Sequence, residues 1–169
     1  DVSNSAEVEQ KLKQQNKDCD NSVCDNEILI EQQQEAAAAV TNIGGDYKDI
    51  SNSAEVEQKA EQQNNDCQDS NCINNIFSEV QEAQAIDEIG SGVNGNYKDV
   101  STSAEIEQVA QQDNKECKDG SDCENSIGTL TQSAFAANLI GGGESYEGVS
   151  SSAEVDQIAK QNNNDCKEN

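Results

Sequence analysis

The stretch "SNSAEVEQ" at residues 3–10 returns letter for letter at 51–58, and close copies follow as "STSAEIEQ" at 101–108 and "SSSAEVDQ" at 150–157. Two local structures compete for it. As a helix, Asn4, Asn52, Thr102 or Ser151 would be an N-cap with a Glu three residues on, a capping box in every copy, followed by good helix formers. As a strand, alternate residues form one consistent face: Val2, Asn4, Ala6, Val8, Gln10, Leu12, Gln14 and Asn16. The same columns recur around Asn52, Ala54 and Gln58, around Thr102, Ala104 and Gln108, and around Ser151, Ala153 and Gln157. The other face is Ser, Glu and often Lys, so the period is two.

Composition sharpens the choice. Of 169 residues, 33% are apolar and 3% aromatic; Pro, Met, Trp, His and Arg are absent, and the net charge is -24. Such a chain has little with which to build an ordinary core, and disorder is the competing expectation. Its acidity argues against nucleic acid and anionic membrane surfaces as partners and makes cations the natural counterparts. No apolar run approaches the ~18 residues of a membrane span, so no membrane insertion is expected. The chain begins at Asp1 rather than methionine, which fits a mature segment whose targeting peptide has been removed.

Seven cysteines fall as Cys19 and Cys24, Cys67 and Cys72, Cys117 and Cys123, with Cys166 alone. Short polar stretches of Asp, Asn, Ser and Gly separate the partners, so a tight reversal can bring each pair into bonding range. Zinc is disfavoured without histidine or a CxxC spacing. Three disulfides and an oxidising, extracellular setting are predicted, with Cys166 bridging subunits or lacking a partner in the segment.

Tyr47, Tyr97 and Tyr146 recur like the SAE phrase and the cysteines, every 48 to 50 residues. One supersecondary unit is therefore repeated: 1–46, 47–96, 97–145 and a half unit at 146–169. Each unit has an A half, from the SAE phrase to the first cysteine, and a B half, from the second cysteine to a Gly-rich reversal such as "GGDYKD" at 44–49. The B halves are ambiguous. "NEILIEQ" at 26–32 alternates, and Ile76 and Ile127 take the column of Ile28, yet Ile127, Leu130, Ala134 and Ala137 fall at helical spacing. An array of disulfide-linked α-helical hairpins is the rival fold.

The phrase "NSAEVEQ" resembles the curlin repeat of bacterial curli fibres, in which Asn is followed by Ala two residues on and Gln four further. Asn4, Ala6 and Gln10 match, as do Asn52, Ala54 and Gln58; Thr102 and Ser151 depart at the first position. "NEILIEQ" is similar to the second curlin strand, ending at Gln32, and the second and third copies lose this B-half glutamine. The unit is about twice the length of a curlin repeat and carries cysteines that curlin repeats do not. The resemblance implies a secreted subunit of a cross-β fibre built from stacked strand-turn-strand coils.

An all-β fold is therefore expected: a flattened β-solenoid with a period of about 49 residues, A strands on A strands and B strands on B strands at ~4.8 Å. Gln10, Gln58, Gln108 and Gln157 would bond along the axis, as would Asn4 and Asn52, while Ala6, Ala54, Ala104 and Ala153 let the sheets approach. The bland alternative leaves these amides solvated. A strand from Val2 to Asn16 spans about 50 Å at ~3.3 Å per residue, wide enough that bulges or breaks are expected within it. The tyrosines should stack beside the glycine turns. Outside, Glu7, Glu55, Glu105 and Glu154 would line up, as would Glu9, Glu57, Glu107 and Asp156. Like charges at that spacing repel by about 0.9 kcal/mol even in bulk water, so divalent cations, salt or acid should promote assembly. "DCDNSVCDNE" at 18–27 lacks the spacing of an EF-hand loop.

No catalytic, cofactor-binding or metal-ligating constellation emerges. Histidine is missing, the cysteines are accounted for as bridges, and the glycines precede no GK[ST]. The expected function is structural: a homopolymer of an extracellular filament, biofilm fibre or sheath, assembled head to tail. A soluble acidic repeat acting as an adhesin or cation-binding array is the alternative, and a helical interaction protein a third.

Overall fold

The computed structural model describes residues 2–30, 34–41, 46–89, 96–118, 120–141 and 145–164. Its regular structure is β throughout: β1 (Val2–Asn16), β2 (Val23–Ile30), β3 (Gln34–Thr41), β4 (Tyr47–Asn64), β5 (Asn71–Ile89), β6 (Asn96–Asn114), β7 (Asp122–Ile140), β8 (Ser145–Glu147) and β9 (Ser150–Asn163). The helical rival finds no support. No helix among the described residues is long and apolar enough to cross a membrane. Helix propensity loses because a lone amphipathic helix must find a broad apolar partner, whereas a period-two polar strand can be satisfied by a copy of itself.

The strands form two parallel sheets. Sheet A runs β1, β4, β6, with β8 and β9 both along β6; sheet B places β2 and β3 along β5, followed by β7. Equivalent residues are paired. Val2 meets Ile50, Ile50 meets Val100 and Ser101 meets Ser150, offsets of 48, 50 and 49 residues. Parallel neighbours need a long crossover, and each A strand reaches the next through a B half in the facing sheet. The anticipated breaks within Val2–Asn16 do not occur: β1 is continuous, held in register with β4 at every residue.

Between the sheets lies a thin seam. Ala36, Ala38, Ala54, Val56, Ala83, Ala85, Ala104 and Ile106 form one buried cluster, and Ile28, Ala60, Ile76 and Ala110 another. Alanine supplies little transfer energy, since the gain is about 25 cal/mol per Å² of apolar area removed from water, and the interstrand hydrogen bonds carry correspondingly more of the stability. Ile28, Ile76 and Ile127 share a column, as their spacing predicted.

Kinks sit where the sequence did not announce them. Asp49 and Asp99 have φ of 57° and 54°, between the paired Lys48/Lys98 and Ile50/Val100. Tyr97 and Val100, three apart, are both buried, so one left-handed residue restores the inward phase. Gly148 (φ 68°) does the same between β8 and β9, and a Cβ there would stand 2.7 Å from Asp99 Oδ1. Tyr97 and Tyr146 stack with ring centroids 5.8 Å apart, and Tyr47 is in backbone register with Tyr97. The Gly-rich reversals at 42–45, 90–95 and 142–144 lie outside the described residues, as do Gln32 and Cys166.

Candidate assembly interface

The six paired cysteines are bridged as expected. Cys19–Cys24, Cys67–Cys72 and Cys117–Cys123 have Cα separations of 6.0, 6.5 and 6.7 Å and pile into a buried sulfur cluster at one end of the seam. Each turn carries left-handed residues at matching places: Asp18, Asp66 and Glu116, then Asn21, Asp69 and Gly120. Asp and Asn tolerate that conformation better than most residues. In the chain-entropy model such short bridged loops contribute about 2 kcal/mol apiece.

Along the A strands, glutamine columns bond along the axis. Gln58 Nε2 donates to Gln10 Oε1 (3.2 Å), Gln108 to Gln58 (2.7 Å) and Gln157 to Gln108 (2.8 Å). A second column, Gln14, Gln62, Gln112 and Gln161, repeats this at 3.0 Å per step. Its amides also reach across the seam: Gln62 Nε2 donates to the carbonyls of Asn26 and Asn75, and Gln112 Nε2 to those of Asn74 and Ser126. These amides are structural, since Gln58, Gln62 and Gln112 are buried.

Asparagines make a zigzag that joins the sheets. Asn26 donates to Asn64 and Asn74, Asn74 to Asn114 and Asn125, and Asn114 to Asn125 and Asn163, all between 2.9 and 3.1 Å. The B-half glutamine is likewise present. Gln34, Gln81 and Gln132 are in register, and Gln132 Nε2 donates to both Gln81 (2.8 Å) and Gln108 (3.1 Å). The second and third copies therefore keep a B-half glutamine, contrary to the expectation from Gln32: the column lies two residues after it, hidden because "QEAQAI" and "QSAFAA" also fit a helical period.

One expected ladder is absent. Asn4 and Asn52 are aligned, but Asn4 Nδ2 donates to the carbonyl of Ala39, and Asn52 Nδ2 to those of Ala38 and Ile86. The facing sheet takes the protons that a neighbouring Asn would have received. Opposite stands Asp87, which pattern reading missed because it sits among apolar residues without a partner of opposite charge. Its side chain is wholly buried, and burial pushes its pKa up to about 6, only partly offset by the nearby Asn52 amide.

The outer acids are in register as anticipated: Glu7, Glu55, Glu105 and Glu154, then Glu9, Glu57, Glu107 and Asp156. Desolvation, then the charges of Glu105 and Glu7, raise the Glu55 pKa. Lysines relieve some of this, through Lys13–Glu61 (3.1 Å), Lys59–Glu61 (3.0 Å) and the Lys11–Glu9 pair.

The ends differ from the middle. Val56 and Ile106 are fully buried, whereas Val155, next in their column, is 44% exposed. All of β9 is exposed, because sheet A continues to β9 while β7 is the last strand described in sheet B. At the opposite end, among the described residues, β1 pairs only with β4. Among the described residues, both strands thus lie at the margin of sheet A, where the amide columns stop. Comparison with family models, curated proteins and solved structures finds no match to this chain.

Proposed function

We propose that the chain is a structural subunit of an extracellular filament, a flattened β-solenoid of cross-β character that grows by stacking copies end on end. The observation that carries this reading is the repeat of one column pattern in register from β1 through β4 and β6 to β9. β1 and β9 have the same column pattern, so the β1 of one copy against the β9 of the next would continue the Gln, Ala and aliphatic columns of sheet A. A strand with the B-half pattern would fill the step opposite β9. Unprotected parallel edges are templates for further pairing. The likeness of Asn4, Ala6 and Gln10 to the curlin pattern points the same way, and stacked disulfides suit an oxidising exterior. Divalent cations along the outer acid columns would lower the repulsion between layers, which makes calcium, salt or acid promoters of growth.

Negative-stain microscopy and fibre diffraction test this. Long filaments with a meridional repeat near ~4.8 Å are expected. Val155→Lys, which points a charge inward at the β9 edge, should leave circular dichroism unchanged and shorten filaments to isolated particles. Discrete particles from the unaltered protein under all salt, calcium and pH conditions would favour a soluble acidic array instead.

A further inference from the structure

Five buried side-chain oxygens lack a hydrogen-bond partner among the described residues: Asn52 Oδ1, Asp87 Oδ1 and Oδ2, Thr102 Oγ1 and Asn138 Oδ1. They belong to one neighbourhood. Asn52 and Thr102 are successive members of a sheet A column, and Asp87 and Asn138 of a sheet B column. The columns face each other, since Asn52 Nδ2 reaches the carbonyl of Ile86, beside Asp87 (3.0 Å), and Asn138 Nδ2 that of Ser150, beside Ser151 (2.6 Å). Elsewhere in the seam amide oxygens receive protons from the next layer. Here the Asn52 and Asn138 amides donate to backbone carbonyls, and the Asn52 amide is also close enough to Asp87 to offset part of the cost of its burial.

We propose that these oxygens form a cation site within the seam, suited to a hard divalent ion such as calcium. The donor set is all oxygen, with one carboxylate, one hydroxyl and two amide carbonyls, the mixture such ions take from proteins. Among the described residues no lysine pairs with Asp87: Lys48 pairs with Asp49 and Lys98 with Glu147, all on the surface. Buried charge without a partner is costly, and metal coordination is one of the few ways to relieve it. A proton on Asp87 is the rival occupant, but a single proton supplies one donor and leaves most of the five oxygens as they are. Ile50, Ala54, Ala85, Val100 and Ala104 flank the site along the strands and are buried, which strengthens attraction for an ion by excluding water. The site is separate from the outer acid columns and stands whether or not the chain polymerises.

The test uses the full chain stripped with chelator and titrated with calcium at neutral pH, beside Asp87→Asn and, as a surface control, Glu55→Gln. The unaltered protein and the control should bind one calcium equivalent that Asp87→Asn lacks, over weak binding common to all three. Calcium should raise the thermal midpoint by several degrees in the first two only. Terbium luminescence in light and heavy water gives a readout that needs no variant: an ion in the seam keeps few coordinated waters, one on surface carboxylates keeps most. Thr102→Val, which removes one ligand and keeps the carboxylate, should weaken the buried equivalent. Equal calcium stoichiometry and equal thermal response in the unaltered protein and Asp87→Asn would overturn the proposal. So would terbium that stays fully hydrated, or a midpoint that responds to acid and never to calcium, which would assign the oxygens to a proton.

Discussion

At the disulfide end of the seam, Asn64, Asn74 and Asn114 are wholly buried and bonded to one another; toward the opposite end, Asn52, Asp87 and Thr102 are as deeply buried and their oxygens lack such layer-to-layer bonds. The two regions share the same sheets and register. What separates them is the direction of the amides. Where each side chain gives a proton to the next layer and accepts one from the last, polar residues serve as core. Where the protons go sideways to backbone carbonyls, the oxygens accumulate and a single carboxylate becomes expensive. A polar seam is therefore stable column by column rather than by average composition.

The largest way to break this contrast is at the satisfied end. Gln62→Leu would strand Gln14 Oε1, one Gln112 donor bond and the carbonyls of Asn26 and Asn75. With ~1–3 kcal/mol for each buried group left unpaired, a loss of about 4 kcal/mol is expected in urea unfolding. A loss below about 1 kcal/mol would mean that these amides are hydrated in solution.

The unsatisfied end should show itself through pH. The Asp87 pKa rises from 3.8 to about 6 on folding, so the folded state binds the proton more tightly than the unfolded state. Stability is then fully present below the unfolded value and is lost as pH rises through about 6. In chelator the unaltered protein should lose about 2–3 kcal/mol across that window, and Asp87→Asn should flatten the curve. Glu55, also raised, adds in the same direction; Glu61, lowered by Lys59 and Lys13, opposes it at more acid pH. A flat profile for the unaltered protein in chelator would remove the contrast altogether.

A smaller effect is expected at the turns. Glu116 occupies the left-handed position held by Asp18 and Asp66, and Glu lacks the short side chain that eases that conformation. Glu116→Gly should stabilise by about 0.5 kcal/mol, read from thermal midpoints, while Asp66→Gly should change little.

The inward face of the A halves was legible because the same residues return in the same phase four times, and no helix could keep Asn, Ala and Gln on one side at a spacing of two. The disulfides were legible from spacing. The B halves were not, since "QEAQAI" satisfies two periods at once, and only pairing with its copies fixes the phase that aligns Gln34, Gln81 and Gln132. Asn4 and Asn52 misled for a related reason: alignment of side chains does not dictate where their protons point. Asp87 was invisible because a carboxylate in a chain with 34 acids attracts no notice until its burial is known.

The bridged turns have a consequence for how such a chain can vary. Two of them span five residues and the third six, yet Cys72 still meets Cys123 and Asn74 still meets Asn125. The extra residue is absorbed at the tip, where Gly120 takes φ of 83°. Insertions and deletions confined to these hinges leave the lattice untouched, whereas one residue added inside a strand would turn a whole row inside out. Length is negotiable at the corners and rigid along the rungs, so drift in a gene of this kind should collect at the corners.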